Sequence, residues 1–557
     1  MPRRVRYGSL NGDNVLTALQ PLSFPDVHIS DHLYDKLVHH GEKVLLIDGK
    51  TGDKFTANDV REMSVRMAQS LLREDLLQQE DIVFCACPDS VLSAVTILAI
   101  HFAGAIYSGC YWTMPKREIQ FQLETLGATV IVCGCHNLSD ACSVADEVDS
   151  VTAVICVDPI TIKVTDKGKQ VFSIDKLLST PKDNTIEIPA TIRKNPKDAT
   201  CCIMFSSGST GMPKGVVVSH ANAMAQCYAQ ISNDINNNGN WEGHIEAGTV
   251  GFAHTVGLTI IRLAVLSGTQ IVVQDNFQLE NFLQTVEKYK CTSAWLSPSE
   301  VMLLSKTPLT GKYDISSLRE VKVGGSTLPA TASQAFYAKT GNQIKITTVY
   351  GLTESGDLTH VPIEESDPGT VGSLLPGHEM KVVDRESGKG LPVSTVGEIY
   401  VRGPQLTPGY YNRAEANSEN FTADGWFKSG DMGYINSDGL VYIIGRFKEV
   451  IKGDGEQVAP AELESLLLTH DWVAEAAVIG IPDEKHCEVP MAFIVLKDSG
   501  ARNCKREILE FVNSQVADYK KIRGGIEFVP SLPKISIGKI DRMALKRRPR
   551  SPSIAAV

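Results

Sequence analysis

Short apolar runs alternate with amphipathic stretches over the first two-thirds of the 557-residue chain. The runs Val44–Asp48, Ile82–Cys85, Thr129–Cys133, Ala153–Val157, Val250–Phe252, Gln270–Val273 and Ile344–Val349 read as strands. Between them, Asn58–Arg73 and Leu279–Tyr289 carry the spacing of amphipathic helices. That rhythm predicts an α/β fold with largely parallel sheets. Val91–Gly109 is long, uncharged and apolar, yet it contains Ser93, Thr96, His101 and Gly104. A buried helix fits it better than a membrane span.

The texture changes near Gly377. Short alternating runs (Met380–Val383, Gly397–Arg402, Leu440–Ile444) are separated by Gly, Pro and Asn turns, the pattern of a β-rich unit. Past Gly445 a helix is expected to start at Pro460-Ala-Glu-Leu-Glu464. Strands Val473–Ile479 and Met491–Val495, a helix Lys505–Val516 and a strand Gly525–Val529 follow. The chain therefore divides into a large domain over 1–445 and a small α+β domain over 446–557. The large domain comprises an α/β body to about 376 and a β-rich subdomain over about 377–445.

Composition narrows the function. With 43% hydrophobic and 21% charged residues, the chain is ordinary globular material rather than a disordered one. A net charge of −11 argues against a general nucleic-acid binder but leaves room for ATP, which needs only a few local donors. Thirteen cysteines, odd in number and without a secretory leader, read as reduced thiols. Cys85-Ala-Cys87 and Cys133-Gly-Cys135-His136 match no familiar zinc spacing. The basic start lacks an apolar core, and Asp13 arrives early for a mitochondrial presequence, which stays the alternative address. The tail Ser553-Ile-Ala-Ala-Val557 is not a peroxisomal signal of the Ser-Lys-Leu type. A soluble, cytoplasmic protein is expected, with its oligomeric state unread.

The strongest chemical signal is Ser206-Ser-Gly-Ser-Thr-Gly-Met-Pro-Lys-Gly-Val216, set between the apolar runs Ile203–Phe205 and Val216–Val218. Small residues let backbone N–H groups wrap an anion, hydroxyls add donors, and Lys214 adds positive charge. This holds a polyphosphate, but it is not a Walker loop, because Pro213 precedes the lysine and no Ser or Thr follows it.

The loop closely resembles the phosphate loop of the adenylate-forming superfamily, which includes acyl-CoA synthetases, coumarate–CoA ligases and beetle luciferases. Four further motifs resemble that family in the expected order: Val349-Tyr-Gly-Leu-Thr-Glu-Ser355, Trp426-Phe-Lys-Ser-Gly-Asp431, Gly445-Arg-Phe-Lys448 and Pro533-Lys-Ile-Ser-Ile-Gly-Lys539. The resemblance covers about residues 30 to 547 and implies an ATP-dependent acid–thiol ligase. An acyl-adenylate would form with release of pyrophosphate, and CoA would then take the acyl group. ATP would be held by Ser206, Ser207, Gly208, Ser209, Thr210, Gly211 and Lys214, by Gly325 and Ser326, and by Tyr350, Gly351 and Thr353. Tyr350 offers a ring for adenine, Asp431 an acceptor for ribose hydroxyls, and Arg446 a grip on the ribose–phosphate edge. Glu354, with Thr210, would hold Mg²⁺ through hard oxygen ligands. Lys539 would bridge the attacking carboxylate and the α-phosphate.

The resemblance further implies a small domain that swings about Lys448, withdrawing Lys539 and presenting Lys452, Gly455 and Gln457 to the thiol. His254, in Ala253-His254-Thr-Val-Gly257, would orient the carboxylate or line the thiol channel beside Gly324, whereas His244 reads as structural.

Two departures stand out. Lys452-Gly-Asp-Gly-Glu-Gln457 places Asp454 and Glu456 where relatives carry a lysine and an aromatic ring, so CoA is a less secure acceptor than ATP is a substrate. An asparagine-rich stretch from Asn233 to Trp241 replaces the usual hydrophobic lead-in and is expected as a loop, either on the surface or capping an acyl tunnel. A carrier-protein phosphopantetheine or O₂ are the alternative acceptors, and a non-catalytic nucleotide-binding protein is the remaining reading. The acid itself, fatty or aromatic, is not legible here.

Overall fold

The computed structural model describes residues 3–548 apart from 162–163, 183–184, 193, 207–212, 237–242, 276, 327, 329, 362–368, 454–455, 484–485, 498–503 and 535–538. The apolar runs form two sheets. In the first, the strand order is 170–173, 153–156, 130–133, 82–86, 106–109, 200–206 and 214–219, and only the last pairing is antiparallel. In the second the order is 373–374, 356–360, 345–352, 320–323, 293–296, 245–248, 270–273, 44–48 and 54–56. It is parallel from 345–352 through 44–48 and antiparallel at both edges. Ile82–Ala86 is buried at every position, as expected of a parallel strand covered on both faces.

One hydrophobic core joins the two sheets, taking Val83 from the first, Leu45 and Trp295 from the second, and helix residues such as Leu33, Met67 and Ile97. Helix Ala57–Arg73 enters it through Val60, Ser64, Met67 and Leu71, spaced three or four apart, and starts at a Thr56–Asp59 capping box. Val91–Phe102 is buried at nearly every position, which accounts for its uniform apolarity without a membrane. After it, Gly104 turns the chain at φ +72° into strand Ile106–Gly109. No helix among the described residues is long and apolar enough to cross a membrane.

The β-rich sheet is antiparallel throughout, but it reaches beyond residues 377–445. Strands Gly8–Leu10 and Leu16–Thr17 extend it, with Leu16 opposite Met380. Strands this short carry no readable period. Two further segments differ from the sequence expectation. Val250–Phe252 is a bend, and the strand is Ile245–Gly248. Residues 233–236 continue helix His220–Asn236 rather than opening a loop; 237–242 lie outside the described residues.

The small domain packs helices Pro460–Leu467, Lys505–Asn513 and Arg542–Arg547 on a sheet of Ile451–Gly453, Glu456–Val458, Val473–Asp483, Cys487–Leu496 and Ile526–Phe528. Its second helix ends three residues before the predicted Val516, where the Asn513 side chain accepts the Ile522 N–H at 2.8 Å. The fold is thus a large α/β domain of several sheets with a small C-terminal domain. In both parallel sheets the carboxyl ends of the strands carry the loops of interest: Asp89 after 82–86, Phe252–His254 after 245–248, and Gly324–Ser326 after 320–323. Ligands in open α/β sheets bind at that edge.

Candidate active site

The phosphate-loop candidate is a hairpin. Ser206 and Lys214 face each other at the end of the antiparallel pair, and residues 207–212, with Ser207, Gly208, Ser209, Thr210 and Gly211, lie outside the described residues. Loop 407–411 is stitched to this hairpin and to the turn that carries Glu354. Val217 N–H donates to Gly409 C=O at 3.1 Å, Tyr411 N–H to Gly215 C=O at 2.8 Å, and Thr407 N–H to Glu354 C=O at 2.8 Å. Tyr410 then does two things: its O–H donates to Glu354 Oε1 at 2.9 Å, and Lys214 Nζ sits 4.8 Å from its ring centroid. Sequence reasoning missed Tyr410; an aromatic 56 residues from its partner leaves no local pattern.

Asp431 forms a second node. Its Oδ2 accepts the Tyr350 O–H at 2.7 Å, and its Oδ1 lies 3.1 Å from Arg446 Nε, its cross-strand neighbour. Burial pushes the Asp431 carboxyl up, while Arg446 and the Tyr350 bond draw it down. Carboxylate oxygens have two lone pairs each, so ribose hydroxyls could still bond there. Tyr350 is buried, its phenol driven far up by burial and by Asp431. Its neighbour Gly351 must lack a side chain: a Cβ there would stand 2.6 Å from Gly356 C=O across the tight hairpin. Thr353 and Glu354 occupy the turn of that hairpin.

Lys539 comes from the small domain and lies among these groups. Its Cε would be 3.6 Å from a Cβ on Gly325, which stands at φ +83°. Burial lowers its pKa, Arg446 lowers it further, and Asp431, Glu449 and Glu354 act in the opposite sense. Gly324 and Ser326 flank the approach, with Ser326 exposed. Lys452, by contrast, is exposed, its backbone N–H bonded to Glu488 Oε2 at 2.9 Å; its cross-strand partner is Gln457. Asp454 and Gly455 lie outside the described residues, as do the side chains of Glu456 and Gln457. The exposed Lys448 follows Arg446 by two residues, and its pKa is lowered by partial burial and by Lys214.

His254 caps helix Thr255–Ser267, its Nδ1 accepting the Val256 N–H at 3.2 Å. Burial, and then the charge of Lys539, depress its pKa to about 4, so the ring is neutral at pH 7. With Nδ1 an acceptor, the proton sits on Nε2. The loop before it is clamped from the other sheet. Phe252 N–H donates to Asp89 at 3.1 Å, and Tyr107 O–H donates to Phe252 C=O at 3.2 Å. This clamp makes 250–252 a bend rather than a strand. His244 pairs with Glu246 at 3.5 Å, in keeping with a structural role.

The arrangement brings Lys214, Arg446 and Lys539 to one place with Glu354 and Asp431, which suits joining two anions. Residues 34–411 match the family model described as AMP-binding enzyme, and 462–539 match the AMP-binding enzyme C-terminal domain. The chain is 33% identical to a 4-coumarate–CoA ligase of Petroselinum crispum, over 94% of this chain and 95% of the relative. It is 32% identical to the luciferin 4-monooxygenase of Nipponoluciola cruciata over 90% of each. Among solved structures, an anthranilate CoA ligase in complex with anthranoyl-AMP superposes with a TM-score of 0.84 at 25% identity, covering 94% of this chain and 97% of that one.

Proposed function

The chain belongs to the family of AMP-binding enzymes, and on that premise we propose that it is an acyl-CoA synthetase, an ATP-dependent acid–thiol ligase. It activates a carboxylic acid as acyl-AMP with release of pyrophosphate, then passes the acyl group to CoA. The observation that carries this reading is Lys539, a lysine of the small domain buried in the large domain's site among Glu354, Asp431 and Arg446.

In the first step the acid's carboxylate attacks the α-phosphate of ATP. Lys539 holds the two anions together, as a positive charge in a site that excludes water. Lys214, with the Ser206–Gly211 loop, holds the leaving phosphates. Tyr350, Asp431 and Arg446 hold the nucleoside, and Gly325, Ser326, Gly351 and Thr353 line it at close range. Glu354, fixed by Tyr410, and Thr210 would hold Mg²⁺; hard carboxylate and hydroxyl oxygens suit that ion, which offsets charge on the phosphates. For the second step we place the domain boundary at 445/446 and the hinge at Lys448. Rotation there takes Lys539 out and brings Lys452, Gly455 and Gln457 toward the thiol, past His254 and Gly324. The thirteen free thiols fit a reducing compartment such as the cytoplasm.

The test is pyrophosphate release with ATP and Mg²⁺ across fatty, aromatic and branched acids, with and without CoA. Continuous CoA-dependent turnover to AMP and a thioester is expected. Release that stalls near one equivalent despite CoA would assign another acceptor.

Two features of the site set measurable outcomes, the burial of Lys539 and the clamp on Phe252. Because Lys539 must be protonated and its pKa is lowered, adenylation falls as pH rises through a value below the ordinary lysine range. An alkaline limb at or above that range would contradict this. The second concerns the clamp on Phe252. Asp89→Ala, which removes one bond positioning the His254 loop, is expected to lower kcat/KM about tenfold. Asp89→Asn keeps an acceptor and should restore it; equal losses in both variants would discount the clamp.

A further inference from the structure

Several buried polar groups take no part in the adenylation chemistry, and they gather in one place. Helix His220–Asn236 contributes Gln226 and Gln230, one turn apart; strand Gly356–His360 contributes Asp357 and His360; the loop after Arg402 contributes Gln405. All five are more than nine-tenths buried. Gln230 Nε2 donates to Asp357 Oδ2 at 2.9 Å, and Gln405 Nε2 donates to the Asp357 carbonyl. The amide oxygens of Gln226, Gln230 and Gln405 have no hydrogen-bond partner among the described residues. Asp357 has no lysine or arginine against it among the described residues. His360 Nε2 stands 4.0 Å from the Asp357 Oδ2, too far for a hydrogen bond. The interior here holds a carboxylate, three unpaired amide oxygens and the unpartnered His360 Nε2, a set dominated by acceptors that water-free burial penalises unless donors complete it.

The cluster adjoins the reacting centre. Asp357 is the cross-strand partner of Gly351, and its Oδ1 lies 3.1 Å from where a Cβ on that glycine would be. Its charge also acts on the His254 imidazole. An acid whose carboxylate lies by Lys539 and His254 would therefore extend its body toward these oxygens.

We propose that the acid this enzyme activates carries an amine on its acyl portion, bound by Asp357 and by the amide oxygens of Gln226, Gln230 and Gln405. The inference rests on the acid–thiol ligase reading. A plain alkyl or aryl group would leave the three amide oxygens unpaired and the Asp357 carboxylate without a cation, and sites built to bond a polar group reject analogues that lack it.

The experiment uses ω-amino, ω-hydroxy and unsubstituted straight-chain acids of matched length, with the aminobenzoates and benzoate. Each is titrated calorimetrically into the full-length protein with a non-hydrolysable ATP analogue, and assayed in parallel for CoA-dependent pyrophosphate release. The amino members should bind about 100-fold tighter than their unsubstituted counterparts, the worth of one hydrogen bond to a charged group. Asp357→Leu should invert that order, gaining on unsubstituted acids what it loses on amino acids, a change that misfolding cannot produce. Equal binding of amino and unsubstituted acids, or of amino and hydroxy acids, overturns the assignment. Selective binding of the amino members without CoA-dependent turnover leaves it standing and removes the ligase reading instead.

Discussion

Lys539→Ala is expected to lower acid-dependent pyrophosphate release by about 10²–10³-fold, the loss typical of removing one preorganised charge partner from a transition state. Thioester formation from pre-made acyl-AMP and CoA should stay within a few-fold of the parent. The reason is positional. Lys539 reaches the site from the small domain, over Gly325, into a region shared with Asp431, Arg446 and Glu354. Its work is to stabilise charge where carboxylate meets phosphate, and that work is finished once the adenylate exists. Single-turnover assays of the two half-reactions separate the outcomes; equal losses in both would refute this division of labour.

The second large effect is expected at Arg542, three residues on. Its Nη1 and Nη2 pair with the two Glu464 oxygens at 2.5 and 3.0 Å, and its Nε meets Glu449 Oε2 at 3.1 Å. Nη1 also donates to Val478 C=O at 3.1 Å. One guanidinium thus ties the segment after Lys539 to helix Pro460–Leu467, to the sheet, and to the residue after Lys448. Arg542→Met leaves Glu464, 13% exposed, without its cation. The expected cost is about 3 kcal/mol, the lower end for a broken buried pair because the arginine itself keeps 18% exposure. It should read as faster hydrogen exchange over 540–547 and a lowered melting temperature, together with weaker adenylation, since Lys539 loses its anchor. Arg542→Lys should not rescue, because an ammonium cannot reproduce the forked geometry. Unchanged exchange with full adenylation in Arg542→Met would rule the anchor out.

What the sequence alone determined is whatever is written in local pattern. Buried parallel strands such as Ile82–Ala86 show as unbroken apolar runs, and helix Ala57–Arg73 as apolar positions three and four apart. A loop of glycines and hydroxyls ending in Lys214, and the ordered motifs around Tyr350, Asp431, Arg446 and Lys539, carry their chemistry within a few residues. Tertiary structure alone decided which distant groups complete them. Tyr410 reaches Glu354 across 56 residues, and Asp89 reaches Phe252 across 163. The strands Arg3–Val5, Gly8–Leu10 and Leu16–Thr17 join a sheet otherwise formed after residue 378, and Gln226, Asp357 and Gln405 meet in one buried cluster. Such pairings depend on strand order and on how the two sheets and the small domain pack, and hydrogen bonds between residues so far apart impose no period or spacing on the chain that joins them.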